Sequence, residues 1–199
     1  VTGSTGKTTV KTLLGSILKQ YSNTYFSPKS YNNQYGVPLS ISNIKPDDDF
    51  GVFEVGMSKF NEINNLSAIV KPHIGIITNV SEAHIENFKN LKEIAKAKGE
   101  IIYNIKKGGT IVLNRDDNFF EFFENIAKQN NIKIKSFGFS QKSDVRYIKS
   151  KKRKNHFIIK ILVKGKKILL KTNNINKSFI MNILSCISVL DELNLDLSL

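Results

Sequence analysis

A glycine-rich segment, TGSTGKTT at residues 2–9, opens the chain and restricts the folds that it can adopt. Glycines let a backbone curl until several amide N–H groups point inward, and the start of a following helix adds its positive end. Apolar residues recur at helical spacing over residues 7–20, directly after this segment. The pattern predicts a phosphate-binding loop between a strand and a helix, rather than a plain glycine-rich turn. We call residues 2–9 the phosphate loop.

Individual positions of the phosphate loop predict distinct roles. Lys7 would reach the β- and γ-phosphates of a nucleotide, and the Thr8 hydroxyl would bind Mg²⁺. The loop is shorter than the usual Walker A motif, because Val1 stands where the first glycine would be. The expected phosphate-binding set is Gly3, Ser4, Thr5, Gly6, Lys7, Thr8 and Thr9.

Strand and helix patterns alternate along the chain as far as residue 139. Apolar runs predict strands at residues 50–55, 74–80, 110–113 and 132–139, and helical spacing predicts helices at 7–20, 61–70, 91–105, 119–129 and 177–193. This alternation predicts an α/β fold whose mostly parallel sheet carries helices on both faces. Ligand-binding residues are then expected beyond the carboxyl ends of the strands.

Positive charge is concentrated in one stretch. Residues 142–171 contain twelve Lys or Arg and one acid, which gives +11 of the net +13 of the chain. Alternating apolar residues predict a small antiparallel hairpin region there, with strands at 144–150, 155–163 and 166–172. We expect a solvated hairpin with outward lysines. A surface for nucleic acid or another acidic partner is the alternative.

Composition excludes several classes of protein. With 40% hydrophobic and 24% charged residues in 199, the chain is globular and not disordered. The single cysteine, Cys186, excludes a disulfide framework and favours a reducing compartment. The longest apolar runs are far shorter than the roughly 20 residues of a membrane helix. The chain begins without Met and stops just after a helical pattern, so we expect it to be a piece of a longer protein.

Three further side chains predict a site near the strand ends, and a fourth, Lys98, lies in a predicted helix. Glu54 lies at the tip of an apolar strand, where P-loop enzymes hold their metal directly or through water. Asn79 and His84 belong to the segment that follows a predicted strand. By itself, Lys98 is typical of a solvated helix face, so its interpretation depends on the motifs around it.

Five motifs occur in one order: TGSTGKTT, YNNQYGVPLS, FEVGMSKFNEI, KPHIGIITNVSEAHIENFKNLKEIAKAKGEI and LNRDD. Together they resemble the central, ATP-binding domain of the Mur ligase family over essentially the whole chain. The NNxxGVPL stretch and the AH…AKGE block are the most specific parts. The resemblance is greatest to the members that join D-Ala-D-Ala to UDP-N-acetylmuramoyl-tripeptide in peptidoglycan precursor synthesis.

The resemblance implies an ATP-dependent ligase that phosphorylates the tripeptide carboxylate before an amine attacks the acyl phosphate. It implies Mg²⁺ as a cofactor, with Thr8 and Glu54 serving one ion and His84 a second. Lys98 matches a lysine that is carbamylated in several family members. A carbamate would bind Mg²⁺, whereas an ammonium would repel it. Lys7, His84 and Lys98 are therefore the expected catalytic residues.

The resemblance also implies which residues bind substrates. It gives substrate contacts to Asn32 and Asn33, and nucleotide contacts to Asn79, Asn114, Asp117 and Asn182. The chain departs from the family at Lys29 and Ser30, where Gly-Asn is common, and we expect this to affect substrate contacts and not the ATP site. In the family, a sequence pattern near this end of the domain helps to hold adenine. Over the matching residues 176–182, this chain keeps only the last asparagine of that pattern, Asn182.

The resemblance further implies a three-domain protein whose middle domain is residues 1–199. We expect this domain alone to bind Mg-ATP weakly and not to ligate, because domain closure must exclude water from an acyl phosphate. A cytoplasmic monomer is expected, with no nucleic-acid partner and no membrane insertion. Two alternatives stay open: a sister amide ligase, either another Mur enzyme or a folylpolyglutamate synthase, and a basic nucleic-acid-binding module.

Overall fold

The computed structural model describes residues 1–82 and 87–197. Its helices are α1 (Lys7–Leu18), α2 (Gly36–Ser42), α3 (Glu62–Val70), α4 (Leu91–Gly99), α5 (Phe120–Gln129) and α6 (Lys177–Glu192), with a 3₁₀ helix at Glu100–Asn104. Its strands are β1 (Thr24–Phe26), β2 (Phe50–Val52), β3 (Ile74–Ile77), β4 (Thr110–Asn114), β5 (Lys133–Gly138), β6 (Val145–Lys152), β7 (Phe157–Val163) and β8 (Lys166–Thr172). Within these residues, no helix has the length and apolar character needed to cross a bilayer.

The strands form a mostly parallel arrangement with an antiparallel extension. β3, β4, β5 and the start of β6 pair in parallel, and β6, β7 and β8 continue as antiparallel neighbours. β1 and β2 form a second parallel pair. The first residues bridge the two sets, since Thr2 N donates to Ile76 O and Val55 N donates to Val1 O, both at 2.8 Å. The predicted α/β class and the antiparallel C-terminal strands are confirmed.

Helices cover both faces of the sheet, because successive residues of a buried strand point to opposite sides. Ile76 and Val112 pack in one core with residues of α1 and α6. Their neighbours Ile77, Ile111 and Leu113 pack in a second core with residues of α3, α4 and α5. All five side chains are 2% exposed or less. The sheet is therefore a middle layer, and the chain segments at its carboxyl ends are left to form a site.

The predicted helix at 91–105 differs from the structure, in which α4 ends at Gly99 and a 3₁₀ turn follows. At this junction the Glu100 carboxylate accepts hydrogen bonds from Asn61 N at 2.8 Å and Asn64 N at 3.0 Å. Amides at the start of a helix lack acceptors within that helix. The side chain of Glu100 therefore caps α3, and this tertiary contact accompanies the change of helix type.

Two elements, β1 and α2, are absent from the sequence prediction. β1 has only three residues and is paired in parallel with β2. α2 has seven residues and includes Pro38 and the β-branched Val37 and Ile41, which are weak helix formers. Val37 is fully buried, and Asn33 Oδ1 accepts a hydrogen bond from Gly36 N at 2.9 Å. Tertiary packing and this side-chain cap, rather than local propensity, stabilise α2.

Candidate active site

The phosphate loop requires glycine at two positions. Gly3 has a φ of +145° and Gly6 a φ of +82°, in a region that L side chains rarely adopt. A Cβ on Gly3 would lie 1.9 Å from Thr78 Oγ1, and one on Gly6 would lie 2.6 Å from Asn182 Oδ1. At Gly3 both the backbone conformation and the space therefore exclude other residues. At Gly6 the backbone conformation disfavours them, and the end of the Asn182 side chain would have to shift.

The segment after β3 holds the phosphate loop in place. Thr5 N donates to Asn79 Oδ1 at 3.1 Å, and Asn79 Nδ2 donates to Thr5 Oγ1 at 2.9 Å. Ser4 Oγ donates to Ser81 O at 3.0 Å and accepts from Ser81 N at 2.8 Å. The structure therefore places Asn79, a predicted nucleotide contact, directly against the loop. Its amide is positioned to fix the loop as well as to meet a ligand.

Lys7, the first residue of α1, is folded back onto the phosphate loop. Its Nζ donates to Gly3 O at 2.8 Å and to Ser4 O at 3.3 Å. Burial lowers the pKa of Lys7, and the nearby Glu54 carboxylate acts in the opposite direction. The ammonium group is thus held by loop carbonyls beside the position expected for phosphate.

A chain of hydrogen bonds joins the loop to the acid beyond β2. Thr8 Oγ1 donates to Glu54 Oε2 at 2.8 Å, and Asn32 Nδ2 donates to Glu54 Oε1 at 2.7 Å. Glu54 is 1% exposed, and an ionised carboxylate so buried needs hydrogen bonds or a cation. The hydroxyl and carboxylate oxygens are hard donors that suit Mg²⁺, which is held by few protein ligands together with phosphate and water. The residues present therefore fit the expected ion.

The rest of the expected metal site is less defined. Within residues 1–82 and 87–197, no group of three or more His, Cys, Asp or Glu side chains could hold a metal ion. His84, predicted to serve a second ion, lies outside the described residues.

Lys29 and Ser30, where the chain departs from the family pattern, contact α1 and the phosphate loop. Ser30 Oγ lies 3.1 Å from Thr8 Oγ1, and Lys29 O accepts a hydrogen bond from Lys11 of α1. The expectation that this departure leaves the ATP site untouched is therefore wrong. Sequence spacing could not show the contact, because 22 positions separate Ser30 from Thr8.

One cavity, which we call the lysine cavity, opens on one side of the loop with a volume of about 400 Å³. Its lining includes Gly3, Lys7, Asn32, Asn33, Lys59 and Lys98. Lys98 enters from α4 and is 1% exposed. Burial, and secondly the charge of Lys7, lowers the pKa of Lys98 to about 7. A large fraction of this amine is therefore neutral near pH 7, which is the form that reacts with CO₂.

A second cavity, the amide cavity, opens on the other side of the loop with a volume of about 440 Å³. Its lining includes Thr5, Gly6, Thr9, Asn79, Asn114, Asp116, Lys177 and Asn182, with Phe137 and Met181 as apolar surface. Three amide side chains and an apolar floor can recognise the edge and the face of a planar heterocycle. The amide cavity thus brings together Asn79, Asn114 and Asn182, which were all predicted as nucleotide contacts.

The two acids of the LNRDD motif have different positions. Asp117 accepts hydrogen bonds from Val80 N at 2.8 Å and Phe119 N at 2.9 Å, so it ties two loops together. Asp116, which sequence reasoning missed, lines the amide cavity and accepts from Phe139 N and Ser140 N. The motif identified the right loop, but only the structure distinguishes its two carboxylates.

Comparison with known proteins gives one family. The model of the Mur ligase middle domain matches residues 1–190. The UDP-N-acetylmuramoyl-tripeptide–D-alanyl-D-alanine ligase of Rickettsia prowazekii is 32% identical over the whole chain and 44% of its own length. Crystal structures of MurF from Acinetobacter baumannii and of MurF from Thermotoga maritima in complex with ADP have TM-scores of 0.91 and 0.89. Each is 27% identical and covers 98% of this chain, over 42% and 45% of its own length respectively. The chain thus spans less than half the length of these relatives.

Proposed function

The chain belongs to the Mur ligase family, and we propose on that premise that it is the ATP-binding part of a UDP-N-acetylmuramoyl-tripeptide–D-alanyl-D-alanine ligase. In that reaction a tripeptide carboxylate oxygen attacks the γ-phosphorus of ATP and releases ADP. The amine nitrogen of D-Ala-D-Ala then attacks the acyl carbon, loses a proton and forms an amide, and inorganic phosphate leaves. The names of the matched relatives support this assignment.

The main support for the proposal is the position of the phosphate loop between the lysine cavity and the amide cavity. Gly3 and Lys7 face the lysine cavity, whereas Thr5, Gly6 and Thr9 face the amide cavity. A nucleotide whose base lies in the amide cavity can run its phosphates along the loop. Its terminal phosphate would then reach the lysine cavity, where a carboxylate substrate can be brought in line.

The charges of the site suit both steps of the proposed reaction. Negative charge develops on phosphoryl oxygens in the first step and on the acyl oxygen in the second. Lys7, the loop amides and the start of α1 supply positive potential at that place. Thr8 and Glu54 would hold Mg²⁺, which when bound neutralises phosphate charge.

Lys98 is the second cation of this site, and we infer that it acts as a carbamate. The neutral amine attacks CO₂ through nitrogen and loses one proton to give a carbamate anion, so conversion of the ammonium into the carbamate releases two protons in all. Beside Lys7 the change removes a repulsion between two ammonium groups and creates a ligand for a metal. His84 is proposed to serve the same second ion.

The lysine cavity is also the proposed site of the muramoyl substrate. Asn32 and Asn33 line it, and Asn32 also donates to Glu54, so substrate and metal positions are coupled through one amide. Lys59 on its lining would attract the substrate carboxylate. Residues 1–199 alone are proposed to bind Mg-ATP weakly at best and not to ligate, because other domains must exclude water from the acyl phosphate.

The proposal extends to the setting of the reaction. ATP and a nucleotide-linked precursor are both substrates, which places the parent enzyme in the cytoplasm. We propose that it acts as a monomer and has no nucleic-acid partner.

Phosphate release by the intact parent protein tests the proposal. The assay contains Mg-ATP and UDP-N-acetylmuramoyl-tripeptide, with and without D-Ala-D-Ala. We expect release that requires the dipeptide and is lost in Lys7→Ala, while the exposed control Lys107→Ala keeps it. Release that depends on a different amino acid would assign the chain to a sister ligase. Absence of ATP binding by the folded protein would remove the enzyme assignment.

A further inference from the structure

The outward side of the antiparallel strands has an unusual composition. In the observed register, rows across β6, β7 and β8 read Arg146–Leu162–Lys167, Lys149–Lys160–Leu169 and Lys151–Ile158–Lys171. These nine residues share one side of the sheet, because residues two apart on β7 and β8 point the same way. On β6, a register shift between Tyr147 and Lys149 brings Lys149 opposite Lys160. We call them the outer ribbon face. It contains six cations and three aliphatic side chains.

The opposite side of the same strands belongs to the protein core. Val145, Ile159, Ile161 and Val163 are buried with residues of α1 and α6. The aliphatic residues of the outer ribbon face belong to neither core cluster of the described residues. Leu169 is 64% exposed. Of the nine residues, five are exposed in this chain and four are half-buried; the exposed ones are Lys149, Lys151, Lys167, Leu169 and Lys171.

The positive charge of the outer ribbon face is largely unmatched. Residues 145–172 hold eleven Lys or Arg and no Asp or Glu. One of them, Lys164 in the turn between β7 and β8, pairs with Asp191 at 3.1 Å. A solvated strand face normally alternates charge signs or carries neutral polar groups, because like charges on neighbouring strands repel. Contact with an extended anionic surface would therefore relieve the electrostatic repulsion within this face.

We propose that the outer ribbon face docks on the surface of a bilayer rich in anionic phospholipid. Cations and aliphatic residues alternate on it, so that ammonium groups can meet lipid phosphates while Ile158, Leu162 and Leu169 enter the interface. A nucleic acid is less well matched. Binding to single strands uses aromatic stacking, and the nearby aromatics Tyr147 and Phe157 lie on the core side in this register.

This surface is independent of the proposed ligase reaction. The outer ribbon face shares none of its residues with the lysine cavity or the amide cavity. Lys7→Ala should therefore bind vesicles as the unaltered chain does. Failure of the docking proposal and failure of the enzymatic proposal can be told apart by this variant.

Vesicle flotation with the 199-residue chain provides the test. Vesicles of equal parts phosphatidylcholine and phosphatidylglycerol are compared with vesicles of phosphatidylcholine alone. We expect binding only to the anionic vesicles and steep weakening with salt, since the Debye length falls from about 30 Å at 0.01 M to about 8 Å at 0.15 M. Binding to both kinds of vesicle, or to neither, would overturn the proposal.

Two charge-matched variants locate the binding surface. The outer variant is K149Q/K151Q/K167Q/K171Q, and the control is K152Q/R153Q/K154Q/K166Q, which removes four exposed cations outside the outer ribbon face. Each Lys or Arg near an anionic leaflet strengthens partitioning by roughly five-fold, so the outer variant, which lacks four of them, should lose nearly three orders of magnitude. The control should lose less than about ten-fold. Equal losses would show that only net charge acts and would refute a specific face.

Leu169→Thr tests the aliphatic contribution, with an expected loss of roughly ten-fold that persists at high salt. An unchanged melting temperature shows that each variant is folded. A DNA oligonucleotide at the same concentration of phosphate, added as competitor, should leave the protein on the vesicles. Complete displacement by DNA would replace the lipid assignment with a nucleic-acid one.

Discussion

Thr8 Oγ1 donates a 2.8 Å hydrogen bond to Glu54 Oε2, which joins the start of α1 to the end of the segment after β2. The two residues are 46 positions apart, and both were predicted to serve the same Mg²⁺. Their contact places a hydroxyl and a buried carboxylate where one ion can reach both. A hydroxyl and a carboxylate oxygen are hard donors of the kind that would hold Mg²⁺ here.

Glu54→Gln should weaken the binding of Mg-ATP by at least about ten-fold. The amide keeps the shape of the side chain and can still accept from Thr8, but it removes the negative charge that favours a divalent cation. Calorimetric titration of the chain with ATP over a range of Mg²⁺ concentrations measures the change. Glu121→Gln on the exposed side of α5 is the control and should leave the affinity unchanged. Equal affinities for both variants would remove Glu54 from the metal site.

Lys98 should make the free energy of unfolding depend on pH. Its pKa is about 7 in the folded chain, against an ordinary value of 10.5. Between these values the unfolded state binds one more proton, so this contribution rises with pH from about 7 to 10.5. Below pH 7 both states are protonated, and the contribution stays at its lowest value.

Urea unfolding in CO₂-free buffer from pH 6 to pH 10 measures this effect. The difference between the unaltered chain and Lys98→Met should change over that range, while the exposed control Lys107→Met should show a constant difference. A flat difference for Lys98→Met would show that the amine titrates normally.

Carbamylation of Lys98 has a spectroscopic test. With ¹³C-labelled bicarbonate, the chain should give a carbamate carbon signal that is absent from Lys98→Ala. In the intact parent protein, Lys98→Ala should lose activity and regain part of it with a short carboxylate, which can occupy the place of the carbamate. Full activity of Lys98→Ala without any carboxylate would rule the carbamate out.

Gly6→Ala should destabilise the chain and remove nucleotide binding. Its φ of +82° costs an alanine about 1–2 kcal/mol, and the new Cβ would also lie 2.6 Å from Asn182 Oδ1. Gly108 is a matched control, because its φ is +80° and a Cβ there would meet nothing within 4 Å. Gly108→Ala should show the backbone cost alone, with nucleotide affinity unchanged. Thermal unfolding and ATP titration together separate the two contributions, and identical behaviour of the variants would contradict the predicted clash.

Asp191→Asn should destabilise the chain by about 3 kcal/mol, since breaking a buried ion pair leaves a cation unmatched. Asp191 binds Lys135 and lies 3.1 Å from Lys164. Burial tends to raise the pKa of Asp191, but hydrogen bonds from both lysines outweigh it and lower that pKa. The stabilisation is therefore present above the unfolded pKa of about 3.9 and is lost as pH falls through the folded value.

Denaturant unfolding at pH 7 and at low pH checks this prediction. The double variant Lys135→Met/Asp191→Leu should recover most of the loss, because no charge remains buried. The pair of the half-buried Glu124 and the exposed Lys128 serves as the control, and Glu124→Gln should cost only about 0.3–0.5 kcal/mol. A similar cost for Glu124→Gln and Asp191→Asn would show that burial adds nothing to the pair.

Features that depend on local spacing can be predicted from the amino-acid sequence alone. Glycines at positions 3 and 6 and helical periodicity after Lys7 predicted the phosphate loop and α1. Periods of two and of about 3.6 residues predicted the other strands and helices of the central sheet, apart from the short β1 and α2. Local spacing could specify these features because it fixes which face of an element a residue occupies.

Contacts between distant side chains, by contrast, are set by the tertiary fold. It placed Ser30 against Thr8, turned Asp116 rather than Asp117 into the amide cavity, and aligned the rows of the outer ribbon face. It also lowered the pKa of Lys98, because burial among other elements removes water from the amine. Contacts of this kind depend on the register and packing of elements far apart in the chain, and no local pattern specifies them.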